Sequence, residues 1–324
     1  MNVRRRLISA TAVTAATALG LGALSACSSD SAATGNTDKF DVVASFYPMA
    51  FLAEQIGGDH ANVTSLTEPG QEPHDLEIST KQRAQLEEAD AALYLKGLQP
   101  AVDEAVSQTG IKTKIDAAGL TRLEDHGSTE HDHEGEEGHA EEKGHAEEEE
   151  HARDPHIWLD PVKYAEVAEG VGKAFEKADP DHAADYKKNT AALVEKLNGL
   201  NGEFENGLKD TKTKVFFTNH AAFGYLAERY GLTQEAISGL DPESEPSAAR
   251  VRELQQEAKA DGVTTVFYET LVSDKTAKTL ARDAKLKTDV LDPLEGITDK
   301  SRGDDYFQVM EANLKALQAA LGAK

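Results

Sequence analysis

Residues 214–238 read KVFFTNHAAFGYLAERYGLTQEAIS, and this stretch decides the fold. Its apolar run at 215–218 predicts a short buried strand. Residues 221–230 are predicted to form a helix, and residues 234–238 a second strand. A strand, a helix and another strand in succession indicate a parallel sheet covered by helices. His220 falls between the first strand and the helix, at the carboxyl end of a strand, where open α/β sheets bind their ligands.

The same alternation occurs on both sides of a long helical stretch. Further strands are predicted before it and after it, at 41–45, 62–66, 91–95, 114–116, 263–268 and 288–291. The helix predicted over 181–208 would be roughly 42 Å long at 1.5 Å per residue, which suits a connection between two lobes. We therefore expect an α/β protein of two lobes, each with a parallel sheet flanked by helices, joined by a long rigid helix.

These patterns divide the chain into five segments. We expect a signal peptide, a lipid-anchored flexible tether, an N-terminal lobe that includes a loop at 125–151, a linking helix and a C-terminal lobe, at 1–26, 27–38, 39–180, 181–210 and 211–324.

The first segment has the pattern of a secretory signal. Three arginines at 4–6 precede an uncharged, mostly apolar stretch that ends Leu24-Ser25-Ala26-Cys27. An uncleaved membrane anchor is the alternative, although a stretch so rich in Ala, Thr and Ser is a weak span. The ending resembles the bacterial lipobox, whose cysteine is lipidated. We expect Cys27 to anchor an extracytoplasmic protein to the cell membrane.

Charge and cysteine content restrict the partners. The chain has one cysteine, which excludes a disulfide within the chain and a thiolate zinc site, so a metal site would use imidazole and carboxylate groups. The net charge of −24 argues against nucleic acid and against electrostatic membrane binding. We expect a monomer.

Residues 125–151 form a low-complexity tract of histidine and acidic residues. A run of this composition is typical of metal binding, and six of the chain's 11 histidines lie in it, namely His126, His131, His133, His139, His145 and His151. The tract has no apolar residue larger than alanine, so it is predicted to be a mobile loop without metal. Weak zinc capture is the favoured interpretation, and a solvated acidic spacer is the alternative.

Three further histidines stand in separate polar turns. His74 lies in Glu-Pro-His-Asp, His156 in Asp-Pro-His-Ile-Trp, and His220 in Thr-Asn-His-Ala. Residues 292–295, Asp-Pro-Leu-Glu, follow the last predicted strand. A single histidine is more often structural than a ligand. Their shared position after strands makes the set a candidate metal site.

These four motifs in this order resemble the metal-binding lipoproteins of bacterial ABC importers for zinc and manganese, the cluster A-I family. The acidic, histidine-rich tract before His156 resembles the zinc branch. The resemblance covers about residues 40–321 and implies two lobes with one metal ion in the cleft between them. It further implies capture of Zn²⁺ as the transported ligand and delivery to the membrane subunits of an ABC permease, without enzymatic activity.

The resemblance also implies a ligand set. His74 and His156 would come from the first lobe, and His220 with a carboxylate from the second. Three imidazoles and one oxygen suit Zn²⁺, whereas manganese members of the family typically have a carboxylate at the third position. For the fourth ligand, Glu295 aligns with the zinc lipoproteins and is favoured, and Asp292 aligns with the manganese type and is the alternative.

Other interpretations stay open at this stage. Asp75 and Asp160 are expected to orient the imidazoles, or else to cap loops. A manganese or iron binder of the same fold is the nearest alternative function. A zinc enzyme is less favoured because the chain lacks His-Glu-x-x-His, Gly-x-Ser-x-Gly and Walker A signatures. An adhesin ranks lower still, since nothing in the sequence specifies a host ligand.

Overall fold

The structure, a computed structural model, describes residues 39–126 and 153–323. The predicted signal peptide, the tether and Cys27 lie outside the described residues. So do five of the tract histidines, namely His131, His133, His139, His145 and His151.

The first lobe is built on a four-stranded parallel sheet with the order β2-β1-β3-β4. The strands are β1 (Phe40–Ala44), β2 (Ala61–Ser65), β3 (Ala91–Tyr94) and β4 (Thr113–Asp116). The helices are α1 (Tyr47–Gly57), α2 (Thr80–Glu88), α3 (Pro100–Gln108) and α4 (Pro161–Ala178).

The second lobe repeats this arrangement with the strand order β6-β5-β7-β8, again all parallel. Its strands are β5 (Val215–Thr218), β6 (Thr233–Ala236), β7 (Thr265–Tyr268) and β8 (Lys287–Val290). Its helices are α6 (Gly224–Arg229), α7 (Ala248–Ala260), α8 (Lys275–Ala284) and α9 (Tyr306–Leu321). The predicted fold class is confirmed.

The linking helix α5 (Ala183–Leu208) contains 26 residues, which gives a length of about 39 Å. One apolar stripe is buried along it, with Tyr186, Leu193, Leu197, Leu200 and Phe204 at helical spacing. This stripe packs against α1 and α4 of the first lobe and against α9 of the second. Because α5 packs against helices of both lobes, it is part of the packing between them as well as the chain connection.

A single apolar core extends through both lobes. It joins residues such as Phe46 and Phe175 of the first lobe to Phe216 and Met310 of the second. Each lobe also has a smaller apolar cluster under its outer helices. This cluster lies around Leu86 in the first lobe and around Leu254 in the second. A shared core means that the lobes are held by apolar burial as well as by the chain connection.

Hydrogen bonds cross between the lobes near the base of the cleft. The indole Nε1 of Trp158 donates to the carbonyl of Pro293 at 2.7 Å, and the hydroxyl of Tyr306 donates to the carbonyl of Trp158 at 2.7 Å. Asp160 caps α4 through the N–H of Val162 and also accepts a bidentate pair from Arg229 of α6. These buried contacts fix the first lobe's residues 156–160 against the second lobe.

Helix starts follow the polar caps that the sequence contains. Ser79 accepts from the N–H of Gln82 and forms a capping box with it at the start of α2. Ser247 caps α7 by accepting from the backbone N–H of Arg250. Among the described residues, no helix combines the length and the apolar character needed to cross a membrane.

One predicted helix boundary is wrong. The helix predicted from residue 221 begins at Gly224. The carbonyl of His220 accepts from the side chains of Thr218 and Gln234, and the N–H of Ala221 donates to Gly239. These contacts hold residues 219–223 in a turn, so His220 lies before the start of α6 and outside the helix.

Candidate metal centre

Four side chains from separate parts of the sequence meet between the lobes. His74, His156, His220 and Glu295 each offer one ligand atom, and these atoms lie within 4.8 Å of one another. His74 follows β2 and His156 lies in the segment between β4 and α4. His220 follows β5 directly, and Glu295 follows β8. The carboxyl ends of the parallel strands thus supply the cluster, as expected for open α/β sheets.

The distances within the cluster are close to uniform. Oε1 of Glu295 lies 3.3 Å from Nε2 of His74 and 3.4 Å from Nε2 of both His156 and His220. The Nε2 atoms of His156 and His220 are also 3.4 Å apart. A tetrahedron whose centre lies about 2.0–2.1 Å from each corner, as in zinc sites, has edges of about 3.3–3.4 Å. These four distances therefore match four of the six edges of a tetrahedral zinc shell.

Each buried imidazole has a carboxylate behind it. Nδ1 of His156 lies 2.7 Å from Oδ1 of Asp154, and Nδ1 of His220 lies 2.5 Å from Oε1 of Glu269. Metal-ligating histidines commonly donate their second ring N–H to a carboxylate, which fixes the tautomer and turns the other nitrogen toward the metal. Both rings consequently present Nε2 to the cleft.

Burial differs among the four groups. The side chains of His156, His220 and Glu295 are fully buried, whereas the side chain of His74 is 12% exposed. Oε2 of Glu295 is buried and has no hydrogen-bond partner among the residues that the structure describes. A buried carboxylate oxygen without a partner is a group that a bound ion or an ordered water can satisfy. His74 is therefore the member of the set that solvent reaches.

The charges in the cluster depend on one another. Burial alone would raise the pKa of Glu295, but contacts with His156, His220 and His74 hold it well below its ordinary value. Burial alone would lower the pKa of His220, but the charge of Glu269 and its hydrogen bond raise that pKa well above 6.5. Asp154 and Glu295 likewise raise the pKa of His156 against the effect of burial. The site combines a carboxylate of lowered pKa, Glu295, with two imidazoles of raised pKa, His156 and His220.

Asp292 belongs to the turn that aims Glu295. Its Oδ1 accepts from the N–H of Leu294 at 2.9 Å, and Thr270 donates to its Oδ2. Leu294 is buried and has a φ of 59°, a left-handed conformation that is costly for a branched side chain. The turn is held in this conformation so that Glu295 points into the cluster. Of the two candidates for the fourth ligand, the group contains Glu295.

The aspartates that the sequence suggested as orienting groups have other contacts. Asp160 caps α4 and pairs with Arg229, and Asp75 is exposed. The groups behind the imidazoles are instead Asp154 and Glu269, which the sequence interpretation missed. Asp154 stands two residues before His156, a spacing that could have indicated it. Glu269 follows β7 at the same sheet edge as the ligands, although only the fold brings it to His220.

The sequence also assigned His126 to the histidine-rich loop. The structure describes His126 as a partly buried side chain, with its ring 4.4 Å from the ring of Tyr225 at an interplanar angle of 82°. Its Nδ1 lies 3.0 Å from Oδ2 of Asp154. This histidine is therefore packed against the folded lobes.

The fold and the cluster together define a two-lobed metal-binding protein with one buried site between parallel-sheet lobes. Residues 42–320 match the family described as ZnuA, zinc-uptake complex component A, periplasmic. The chain belongs to this family, and the resemblance drawn from its sequence motifs is confirmed.

Individual relatives agree with the family assignment. The chain is 40% identical over 304 residues to a zinc-binding lipoprotein named AdcA of Streptococcus pneumoniae, covering 91% of this chain and 58% of that relative's length. It is 36% identical over 322 residues to the high-affinity zinc uptake system protein ZnuA of Bacillus subtilis, covering 94% of this chain and 98% of that protein.

A solved structure has the same fold. The Zn(II)-bound ZnuA-like domain of AdcA from Streptococcus pneumoniae is 36% identical to this chain, with a TM-score of 0.71, and the match covers 87% of this chain and 99% of that domain.

Proposed function

We propose that this protein is the extracytoplasmic zinc-binding component of an ABC importer, which captures Zn²⁺ in the cleft between its lobes and delivers it to the permease. The ligands are His74, His156, His220 and Glu295. The observation that carries the proposal is the set of four nearly equal edges of 3.3–3.4 Å among their ligand atoms. The zinc-binding names of the relatives support it.

The ligand set favours zinc over manganese and iron. Three imidazoles are borderline-soft donors, whereas Mn²⁺ prefers carboxylate, carbonyl and water oxygens in octahedral sites. A four-cornered cluster with tetrahedral edges leaves little space for six ligands. His220 stands at the position where a carboxylate would shift the preference toward the harder metal.

The same cluster argues for a binding protein rather than an enzyme. Catalytic zinc sites use three protein ligands and keep a fourth position for water or substrate. Here Glu295 takes the fourth corner, and its side chain is fully buried. The bound ion would have no open position on which to activate water.

Access to the ion is on the side of His74. Because His74 is the partly exposed member of the set, an incoming ion meets it first and a departing ion leaves it last. The remaining three groups are held by buried partners or turns. Release to the permease therefore requires a change around the turn that carries His74, while the other ligands stay in place.

Anchoring through Cys27 is part of the same proposal and rests on the sequence ending Leu24-Ser25-Ala26-Cys27. Cys27→Ser should release the protein from the membrane fraction of cells that express the full chain. Retention of the variant in that fraction would contradict lipid anchoring.

The histidine-rich tract is proposed to capture zinc weakly and feed the cleft. Ordering a segment that its sequence predicts to be mobile would cost about 1–2 kcal/mol per residue fixed, so its sites should be weaker than those of the folded cleft. Deleting residues 127–150 should remove, in calorimetry, the weak zinc equivalents that these residues bind and leave the tight one. Loss of the tight site on deletion would contradict the cleft assignment.

Native mass spectrometry of the purified full chain tests the function itself. The wild type should retain one tightly held zinc ion, and His156→Asn should lose it. Glu203→Gln, an exposed position on α5, is the matched control and should retain the ion. A wild type that retains manganese in preference to zinc would favour the alternative binder of the same fold.

A further inference from the structure

A second group of ligand-type side chains lies outside the cleft cluster. Glu124, His126 and Glu228 each offer one ligand atom, and these atoms lie within 4.8 Å of one another. Nε2 of His126 is 2.9 Å from Oε2 of Glu228. Glu124 and His126 belong to the first lobe and Glu228 to α6 of the second, so the group spans the two lobes.

Asp154 holds His126 in the orientation of a metal ligand. Oδ2 of Asp154 lies 3.0 Å from Nδ1 of His126, and Oδ1 of the same carboxylate lies 2.7 Å from Nδ1 of His156. The carboxyl group is buried. One aspartate therefore stands behind two imidazoles, one in the cleft and one in the outer group, and leaves Nε2 of each ring to face carboxylate oxygens.

We propose that Glu124, His126 and Glu228 form a second Zn²⁺ site, which rests on the proposed function for its metal. One imidazole and two carboxylates are a ligand set that zinc accepts, with water completing the shell. Solvent reaches the site, because the side chain of Glu228 is 60% exposed and that of His126 is 16% exposed. The ion would thus bind and leave without any movement of the buried cleft.

This second site is weaker than the cleft site. Nζ of Lys163 lies 2.8 Å from Oε1 of Glu124 and competes with the ion for that carboxylate. The ammonium group also donates to the carbonyl of Arg122, which keeps it beside the site. A nearby positive charge and bound water both favour rapid exchange.

The position of the site relative to the histidine-rich tract gives it a use. The backbone N–H of Asp154 donates to the carbonyl of Glu124 at 3.0 Å, so the described residues on either side of the tract lie side by side at this site. An ion collected by the tract histidines would next meet Glu124, His126 and Glu228. From there, a single carboxylate, Asp154, separates it from the ligand His156.

The test uses the full chain with five tract histidines replaced by asparagine, at positions 131, 133, 139, 145 and 151, and Zn²⁺ alone as the probe. Equilibrium dialysis against buffered free zinc then counts the ions held by the described residues. We expect two ions per chain, one tight and one weak. Adding Glu228→Gln should remove the weak ion and keep the tight one, whereas adding Glu203→Gln should keep both.

The failure of each proposal has its own signature. A parent chain that binds one ion, or a Glu228→Gln chain that still binds two, would overturn the second site. Adding His220→Ala to the parent should remove the tight ion and keep the weak one. A tight ion that survives His220→Ala would overturn the cleft assignment while leaving the test of Glu228 valid. Glu228 is exposed, so its replacement is compatible with folding, which an unchanged melting temperature of the metal-free protein verifies.

Discussion

Nδ1 of His220 lies 2.5 Å from Oε1 of Glu269, and both side chains are buried at the cleft. This contact fixes the ring of His220 and increases the basicity of the nitrogen that faces the metal. Glu269 is not itself one of the four clustered residues, so we expect it to act on the site through its contact with His220.

We predict that Glu269→Gln lowers zinc affinity by about 10- to 100-fold, the usual effect of removing an orienting carboxylate. The amide keeps the size of the side chain and loses its charge. Competition against a chelator of known affinity measures the change. Glu245→Gln, at an exposed position of the same lobe, is the control of equal chemistry. An affinity equal to that of the wild type would remove Glu269 from the account.

Amide substitution is predicted to change zinc affinity at Glu295 and to leave it nearly unchanged at Asp292. Glu295→Gln removes a charged ligand and should abolish tight zinc binding. Asp292→Asn keeps an oxygen that accepts from the N–H of Leu294, so the turn is preserved and zinc affinity should stay close to that of the wild type. The same chelator competition reads both variants. Strong loss of zinc from Asp292→Asn with an intact fold would make Asp292 the ligand instead.

His220 is predicted to set the choice of metal. His220→Glu replaces a neutral imidazole with a hard, charged group that binds bidentately, so zinc affinity should fall and the gap between Zn²⁺ and Mn²⁺ should narrow. Zinc should still bind more tightly than manganese, since intrinsic affinities keep that order. His220→Ala should lose zinc affinity without the narrowing. Titration of both metals against all three proteins tests this, and unchanged zinc affinity in His220→Ala would contradict it.

Zinc binding is predicted to release protons near pH 7. The pKa of His220 lies well above 6.5 and that of His156 is raised, so the metal-free site holds imidazole protons that zinc must displace. Zinc affinity should therefore rise with pH until those imidazolium groups have titrated. Calorimetry at one pH in two buffers of different ionisation enthalpy gives the number released. Equal enthalpies in the two buffers would show that no proton is displaced.

Much of the fold could be predicted because its signals are local. Apolar runs such as 215–218 mark buried parallel strands, and the helix predicted over 181–208 corresponds to α5 at Ala183–Leu208. The start of α6 was missed because contacts from Gln234, on the neighbouring strand, hold the turn after His220. Such contacts exist only once the sheet has formed.

The candidate site divides in the same way. The cluster residues His74, His156 and His220 each follow a strand or stand in a turn that the sequence indicates. The carboxylate behind His220 was not predictable by spacing, since Glu269 is separated from His220 by 49 positions and meets it only through the order of β5 and β7. Glu228 likewise joins His126 across 102 positions. Sequence patterns indicate where ligands lie along strands, and the fold determines which carboxylates support them.

The central claim is that one zinc ion lies at the middle of the His74, His156, His220 and Glu295 group. A crystal structure of the zinc-loaded protein, with anomalous differences recorded on both sides of the zinc edge, tests it directly. We expect a zinc peak about 2.0–2.2 Å from the three Nε2 atoms and from Oε1 of Glu295. A fully loaded crystal with no zinc peak at that position, or with Asp292 in place of Glu295 around it, would contradict the account.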